Sequence, residues 1–351
     1  MTDRGTPNPP PAAAIRGQTP SPLSSPDLPQ AVRVGPDLEL SAASRLVPEA
    51  AGPRTQAARR MISAAAVHGI DLSLMWATVE RASSGKFARA SQVCLAVPGA
   101  GRTVMLIVSG PAAGNESREL AERAACINAA CDHFAAGRSG RDVRLAQALP
   151  EPSEPWAAQA FRESGFLHVG DLAYLRRPLW PALQVTEPTW PDGVTVRTIS
   201  GSAPGDPDRP LLLQALNRSY EDTLDCPELC GLRSTEDILE SHRATGIFNP
   251  RLWWLVLMNN EPQGCMLLSR CPDHNSVELV YLGLSPALRG KGLGRRLLEL
   301  GLARLAVIPA DHITCAVDLR NVPARRLYER LGFRDFGKRI AMVRPLAPPT
   351  T

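Results

Sequence analysis

Eight residues late in the chain, 289–296, combine three glycines with four positive charges in the order RGKGLGRR. Glycines let a backbone turn its N–H groups toward a ligand and let that ligand approach closely. The segment leads into a leucine-rich run with helical spacing, and a helix N-terminus supplies unpaired N–H donors and the positive end of a dipole. The combination predicts a cradle for phosphate or pyrophosphate. A flexible basic turn and a patch for nucleic acid are the alternatives.

Two common phosphate-binding motifs are excluded by the residues themselves. A P-loop requires GxxxxGK followed by Ser or Thr, and the sequence contains no such run. The dinucleotide fingerprint G-x-G-x-x-G, started at Gly290, requires glycine where Arg295 stands. What remains is R-x-x-G-x-G at Arg289, Gly292 and Gly294, shortly after a predicted strand that ends near Leu284.

A second pattern lies downstream, in "DLRNVPARRLYERLGF" at residues 318–333. It matches N-x-x-A-x-x-L-Y-x-x-x-G-F, beginning at Asn321 and including Tyr328. The two segments together resemble the two signature motifs of the GNAT acyltransferase superfamily, in the family's order and at a typical separation. The resemblance covers roughly residues 193–346 and extends more weakly to about 56–179.

The resemblance implies acetyl-CoA as co-substrate and N-acetyl transfer by direct attack of an amine on the thioester. The pyrophosphate would take backbone N–H bonds from the glycine-rich loop, and the rest would lie against the end of the preceding strand. The implied cofactor-binding residues are Leu282, Gly283, Leu284, Arg289, Gly290, Lys291, Gly292, Leu293, Gly294, Arg295, Asn321 and Tyr328.

Two candidate catalytic residues come from the second motif. Tyr328 matches the position where the family often places the general acid that protonates the departing thiolate. Asn321 would orient the cofactor arm or a water molecule. A core tyrosine with a satisfied hydroxyl and a helix-capping asparagine are the structural alternatives.

The candidate general base is Glu278, at the start of an otherwise apolar strand. Strict alternation places it on the same face as Val280 and Leu282. Desolvation there would raise the pKa of the carboxyl group, as a general base requires. An exposed glutamate at a strand end is the structural alternative. Asp318 at the end of the next strand, or a water relay without a dedicated base, is the rival assignment.

The elements that must position these residues fall into two copies of one domain. Residues 161–179 align without gaps to residues 328–346, and a repeat of this length indicates duplication of a domain. The predicted organisation is a disordered Pro/Ala-rich tail (1–50), a degenerate GNAT-like domain (51–180), a linker (181–192) and a catalytic domain (193–351). Strands and helices alternate in both copies, so the predicted fold class is α/β, with a mixed sheet in each.

The first copy departs from the motifs. Phe161 stands in the place of Tyr328, and Glu154 stands in the place of Asn321. Its counterpart of the cradle, "PAAGNESRELAER", lacks R-x-x-G-x-G and carries acidic residues that would bind pyrophosphate poorly. We therefore predict a silent copy that packs against the active one. Such an arrangement resembles mycothiol synthase-like acetyltransferases, although no residue assigns their substrate.

Bulk properties exclude several other classes of protein. A formal net charge of +4 and 5% aromatic residues favour neither general nucleic-acid binding nor base stacking. No apolar run approaches the roughly 20 residues that span a bilayer, and the N-terminus has no apolar signal core, so a cytoplasmic protein without membrane contact is predicted. The eight scattered cysteines predict neither a disulfide scaffold nor a metal site.

Two functions remain after these exclusions. The first is an acetyl-CoA-dependent N-acetyltransferase that acts on a primary amine of a small molecule or a protein. The second is a non-catalytic protein that binds or senses acyl-CoA with the same fold. Retention of Tyr328 beside an intact cradle favours the enzyme, because a binder needs only the cradle.

Overall fold

The computed structural model describes residues 29–48, 51–81, 88–112, 114–180 and 188–346. Over these ranges the chain forms one sheet of twelve strands, with helices packed against it. Nine of its eleven strand pairings are antiparallel, and one pair in each half is parallel, β4 with β5 and β10 with β11 as defined below. The predicted mixed α/β architecture is confirmed.

Two halves with the same order of elements make up the described chain. The first half contains β1 (Val32–Arg33), α1 (Pro36–Leu46), α2 (Arg54–Val67), β2 (Met75–Arg81), β3 (Ala88–Gly99), β4 (Thr103–Val108), α3 (Glu116–Ala135), β5 (Leu145–Ala148), α4 (Pro155–Glu163) and β6 (Leu167–Pro178). The second contains β7 (Val194–Thr198), α5 (Arg209–Tyr220), α6 (Thr235–Arg243), β8 (Trp253–Met258), β9 (Glu261–Cys271), β10 (Ser276–Leu284), α7 (Leu293–Arg304), β11 (His312–Asp318), α8 (Val322–Arg330) and β12 (Arg334–Pro345). The predicted tandem arrangement is confirmed by this repetition.

The first half begins earlier than the predicted boundary at residue 51. Strand β1 and helix α1 lie inside the segment assigned to a disordered tail, and Ala42 and Ala43 of α1 are buried. Helix α1 has proline in its first turn with two acidic residues, which suits a helix start. Residues 1–28 of the predicted tail and 181–187 of the predicted linker lie outside the described residues.

The two halves exchange their last strands. The order across the sheet is β1-β2-β3-β4-β5-β12-β6-β11-β10-β9-β8-β7. Strand β12 of the second half therefore pairs with β5 of the first, and β6 of the first half pairs with β11 of the second. The halves are consequently parts of one continuous sheet, although the sequence suggested a sheet in each.

The register of β6 against β12 follows the sequence repeat. Arg334 pairs with Arg176. In the repeat, Leu167 is the equivalent of Arg334 and Val343 is the equivalent of Arg176, and these two residues also pair with each other. The same symmetry holds on either side, where His312 pairs with Pro178 and Pro345 with Leu145. A pseudo-two-fold axis therefore passes between the exchanged strands.

Each core is completed by a strand from the other half. Ala173, Leu175 and Leu179 from the β6 region pack in the core of the second half. Met342 of β12 packs in the core of the first half. In the second core Trp253 and Trp254 are 0% and 3% exposed, so both are core residues. The exchange thus buries apolar surface that neither half could cover alone.

Each half contains a fork where its two parallel strands part. Strands β10 and β11 pair only at Ser276–Glu278, while β10 continues to Leu284 with β9 as its partner. Strands β4 and β5 pair only at Thr103–Met105, while β4 continues to Val108. A fork exposes backbone polar groups along one strand edge, which suits ligand binding. The cradle and the candidate catalytic residues gather around the fork of the second half.

Candidate active site

The predicted cradle is the loop from β10 into α7. Gly290 and Gly292 have φ of +73° and +75°, a left-handed conformation that glycine adopts at no steric cost. Gly292 is the N-cap of α7, and no side chain caps the helix there. Gly290, Lys291 and Gly292 are exposed. The first turn of α7 therefore presents N–H groups to solvent at the positive end of the helix, an arrangement that fits a pyrophosphate.

The side chain of Arg289 has a structural role in this loop. Its guanidinium donates to the carbonyl oxygens of Leu284 (2.9 Å), Asp222 (3.0 Å) and Ser219 (2.9 Å). These three bonds tie the end of β10 to the C-terminus of α5. Arg289 therefore fixes the shape of the cradle, and the charge that faces solvent comes from other residues.

Those other residues are Lys291 and Arg295, both exposed. Arg295 Nε donates to Glu299 one turn along α7 at 2.8 Å, which leaves part of its guanidinium available. Leu293 is buried under the helix, and Gly294 lies against α8, where an added Cβ would stand 3.7 Å from Leu327. The two predicted glycines thus differ, since Gly292 lies in the left-handed turn before the helix while Gly294 leaves room for a Cβ in ordinary contact with Leu327.

The three predicted residues at the strand end border the fork. Leu282, Gly283 and Leu284 pair with β9, so their other backbone edge faces the gap left by β11. A β-bulge between Leu279 and Tyr281 interrupts β10 just before them. The strict alternation assumed for Glu278, Val280 and Leu282 is therefore wrong, because an extra residue shifts the side chains beyond it to the opposite faces.

Glu278 lies at the branch point of the fork. It is the last residue of β10 that pairs with β11, opposite Thr314. Burial raises the pKa of Glu278, and His274 lowers it by a smaller amount. The phenol of Tyr174 on β6 is near enough for the Glu278 charge to raise the pKa of that phenol after the larger effect of burial. The first half therefore contributes a wall of this site through the exchanged strand.

Tyr328 lies on α8 and is 6% exposed. Burial raises the pKa of its phenol well above the usual value, and the neighbouring Cys315 and Asp225 raise it further. Cys315 of β11 is also close enough to Glu278 for that carboxylate to raise the pKa of the thiol, after burial and Asp225. Asp225 thus influences both Tyr328 and Cys315, and Glu278 influences Cys315. A phenol that stays protonated at neutral pH suits a proton donor.

Asp225 belongs to the acidic stretch 221–228, whose charges could attract a cationic amine or form an ordinary solvated surface. Its Oδ1 accepts a hydrogen bond from the backbone N–H of Asp318 at 2.8 Å. Burial of the carboxylate raises the pKa of Asp225, and the backbone N–H of Asp318 and the nearby Asn321 offset part of that effect. The turn that follows is strained, since the non-glycine Cys226 has φ of +46°. No feature of the sequence separates Asp225 from the other acidic residues of the stretch.

Asp318, the rival base, is already committed to other groups. It is fully buried, and Arg320 pairs with its Oδ2 at 2.7 Å. The backbone N–H of Cys226 donates to the same oxygen at 3.1 Å. Burial alone would raise the pKa of Asp318, but the hydrogen bonds from Arg320 and Cys226 outweigh it and lower the pKa. A carboxylate stabilised in this way is a weak proton acceptor, which favours Glu278.

Asn321 caps the helix that carries Tyr328. Its Oδ1 accepts from the backbone N–H of Ala324 at 3.3 Å, so the capping alternative is seen in the structure. The same side chain is near enough to Asp225 to lower the pKa of that carboxyl group.

A buried aromatic cluster lies behind the bulge of β10. Tyr281 shares a hydrogen bond of 2.7 Å with Ser219, and its ring packs against the rings of Tyr220 and His242 at 5.6 and 5.4 Å. Burial, reinforced by the charge of Arg233, lowers the pKa of His242 to about 4, so the imidazole is neutral at pH 7. Helix α6, which carries His242, is thereby linked to the strand that forms the fork.

The first half also holds α6 from outside. Its β3–β4 turn docks on the helix, where Arg102 donates to both oxygens of Asp237 at 2.7 Å. Ser241 Oγ donates to the carbonyl of Ala100 at 3.0 Å. Gly101, with φ of +66°, lies so close that an added Cβ would stand 2.0 Å from the carbonyl oxygen of Asp237. We call this contact, Ala100–Arg102 with Asp237 and Ser241, the turn clamp.

The fork of the first half lacks the corresponding chemistry. Asn115 caps α3 by accepting from the N–H of Arg118 at 3.1 Å, and Glu119 accepts from the N–H of Ala112 at 3.0 Å. A carboxylate of the chain itself thus occupies N–H groups at the place of the cradle. Beside it lies a cavity of about 310 Å³ lined mainly by apolar residues, among them Trp156 and Phe161.

Within the described ranges, no three His, Cys, Asp or Glu residues cluster closely enough to hold a metal ion. Among the helices of the same ranges, none combines the length and the apolar character needed to cross a membrane.

Known families and proteins are similar to this chain. Residues 216–333 match the model of the Acetyltransferase (GNAT) family. A mycothiol acetyltransferase of Rhodococcus erythropolis is 31% identical over 229 residues, which cover 60% of this chain and 73% of that protein. A mycothiol acetyltransferase of Streptomyces griseus is 34% identical over 163 residues, which cover 46% of this chain and 50% of that protein.

A solved structure gives the same picture of the fold. A GCN5-related N-acetyltransferase from Sphaerobacter thermophilus has a TM-score of 0.55 and 18% identity, with coverage of 93% of this chain and 98% of that one. The likeness concerns the fold alone.

The fork and the repeated topology together define an acyltransferase-type fold. The chain belongs to the GNAT acetyltransferase family, as its two motifs predicted. It spans half the length of one curated relative named above and 73% of the other.

Proposed function

We propose that the second half is an acetyl-CoA-dependent N-acetyltransferase that acts on a primary amine. The observation that carries the proposal is the uncapped helix N-terminus beside the fork. Two titratable groups accompany it, the half-buried carboxyl group of Glu278 at the branch point and the buried phenol of Tyr328 on α8. A protein that only bound acyl-CoA would need the cradle and not the two titratable groups.

The residues of this chain then divide the reaction between them. The backbone of 290–294 binds the pyrophosphate, and the free edge of β10 at Leu282–Leu284 aligns the pantetheine arm. Glu278 accepts the proton of the attacking amine, directly or through water. The nitrogen bonds to the thioester carbon, the carbon–sulfur bond breaks, and Tyr328 gives its proton to the departing thiolate.

Asp225 binds the acceptor amine in its cationic form. A carboxylate beside the fork attracts an ammonium group, and the hydrogen bond from the backbone N–H of Asp318 holds it in place. The burial that raises its pKa is offset when a cation pairs with it. The relatives are named for mycothiol, so the acceptor of those enzymes is the first amine to test, together with simple diamines, amino sugars and peptide N-termini.

Release of free thiol from acetyl-CoA over this amine panel tests the proposal. We expect turnover with at least one small cationic amine, and turnover that Tyr328→Phe lowers about 100-fold. Acetyl-CoA binding by calorimetry without turnover on any amine of the panel would favour the acyl-CoA sensor. Absence of binding at millimolar acetyl-CoA would contradict both functions.

A further inference from the structure

A second cavity lies in the first half, away from both forks. It measures about 230 Å³ and is enclosed by β1, the α2–β2 connection, β3 and the C-terminal end of α3. Three arginines line it, Arg33, Arg138 and Arg141, against one carboxylate, Asp71. We call it the arginine cavity.

The single carboxylate is partly occupied by the chain itself. Asp71 Oδ1 accepts from the backbone N–H of Ser73 at 2.9 Å, and its pKa is lowered first by hydrogen bonding to Ser73 and further by the charges of Arg33 and Arg141. Arg33 is held at the rim by bonds to the carbonyl and hydroxyl of Ser73 at 2.8 and 3.1 Å. The cavity therefore keeps an excess of positive charge at a fixed position.

A buried imidazole faces the same arginines. His133 is 8% exposed, and its Nε2 is buried and has no hydrogen-bond partner among the described residues. Burial lowers the pKa of His133, and the charges of Arg33 and Arg138 lower it further. An unpaired buried nitrogen costs free energy unless a ligand or a water molecule satisfies it. Packing of the ring against Trp76, with centroids 5.2 Å apart, keeps it in place.

The end of helix α3 does not oppose an anion here. Its last carbonyl groups accept bonds from the N–H groups of Ala136, Gly137 and Arg138 at 3.0, 3.0 and 3.1 Å. These carbonyl oxygens, which carry the partial negative charge of the helix end, are therefore already hydrogen-bonded.

From this charge, shape and unmet hydrogen-bonding capacity we infer that the arginine cavity binds a small phosphorylated molecule. Guanidinium groups suit phosphate oxygens because they donate two parallel bonds. The volume exceeds that of a bare phosphate and leaves room for a short organic group against Ile70, Leu74 and Val97. The site does not depend on acetyl transfer by the second half.

The experiment follows His133 by NMR in the full chain at constant ionic strength. The signal of His133 is identified among those of the six histidines by its loss in His133→Gln. Inorganic phosphate and glycerol 2-phosphate are then added, with glycerol as the neutral control. Phosphate should raise the pKa of His133, because an anion offsets the charges of Arg33 and Arg138 and accepts a proton from the ring.

Two variants locate the response. Arg138→Gln with Arg141→Gln should weaken phosphate binding at least tenfold, while Arg59→Gln, which removes an exposed charge of α2, should not change it. An unmoved His133 in millimolar phosphate would overturn the proposal. Equal phosphate binding by the double variant and the Arg59 control would overturn it as well. So would a change in the pKa of His133 on addition of succinate, a dicarboxylate, without any change on addition of phosphate.

Discussion

The two halves share one topology and differ at the N-terminus of one helix. In the second half, α7 starts at an uncapped, left-handed Gly292. In the first, Asn115 caps α3 and Glu119 binds a neighbouring N–H with its own carboxylate. The start of α7 therefore leaves its backbone N–H groups for an outside anion, whereas the chain itself satisfies N–H groups at the start of α3. We infer that the second half, and not the first, binds the coenzyme.

The largest effect is expected from separating the halves. Residues 193–351 expressed alone would lack β6, which pairs with β11 and completes the core. We expect no folded monomer and instead a dimer in which β12 of each copy takes the place of β6 in the other. Analytical ultracentrifugation with circular dichroism measures this, and coexpression with residues 1–180 is the control. A folded monomer would show that the exchange is dispensable.

A negative charge at the start of α7 or of α3 tests whether only the second half binds acetyl-CoA. Gly292→Asp should weaken acetyl-CoA binding about 100-fold, because it adds negative charge and a side chain where the pyrophosphate would accept N–H bonds. Asn115→Asp at the N-cap of α3 retains the cap and should leave binding unchanged. Calorimetric titration measures the affinity of both variants for acetyl-CoA. Equal loss in the two would mean that both halves bind the coenzyme.

Exchanging the residues at equivalent positions of α8 and α4 tests the proton donor. Tyr328→Phe should lower kcat about 100-fold and leave the Kd of acetyl-CoA nearly unchanged, since only a phenol proton is lost. Phe161→Tyr in the first half should change neither quantity. Thiol release measures kcat, and an unaltered kcat for Tyr328→Phe would remove this residue from the mechanism.

The pH dependence of kcat/KM tests Glu278 as the general base, a role that its counterpart in the first fork, Met105, cannot fill because methionine has no titratable group. A base acts when deprotonated, so kcat/KM should fall as pH is lowered through the pKa of Glu278, which burial raises above the ordinary value. Glu278→Gln should remove this acidic limb and lower kcat/KM about tenfold, because water can still relay the proton. Persistence of the limb in Glu278→Gln would transfer the role to Asp225.

The smallest effect concerns the turn clamp between the halves. Arg102→Gln removes a bidentate pair with Asp237 on a side chain that is 40% exposed. We expect the KM for the acceptor amine to rise up to about fivefold, with kcat and acetyl-CoA affinity unchanged. Arg144→Gln, which loses only the exposed pair with Asp142, is the matched control. A change in acetyl-CoA affinity instead would separate the clamp from acceptor binding.

Much of the site could be predicted because its signals are local. The spacing of Arg289, Gly292 and Gly294 defines a loop and helix start within a few residues, and the segment around Tyr328 defines a helix with its cap. The amphipathic periodicity of α7 and α8 predicts the faces that pack. Local patterns also predict a silent half, since Phe161 in the place of Tyr328 is visible without any structure.

Other features depend on contacts between distant residues. The bulge at Leu279/Tyr281 overturned the alternation expected for Glu278, because strand register depends on the neighbouring strand as well as on the sequence of β10. Asp225 looked like a solvated loop residue, and its contact with the backbone N–H of Asp318 on β11 depends on a residue far along the chain. The start of the first half was misplaced because the burial of α1 comes from strands downstream.

By itself, the sequence determined the family, the duplication and which half carries the coenzyme motif. Only the tertiary structure decided that the halves share one sheet through exchanged strands, and that the first half reaches the site through Tyr174 and holds α6 with Arg102. The physical reason is that helix starts and glycine turns are governed by neighbouring residues. Strand pairing is chosen among edges with similar hydrogen-bonding groups, and only the packing of the whole chain selects one.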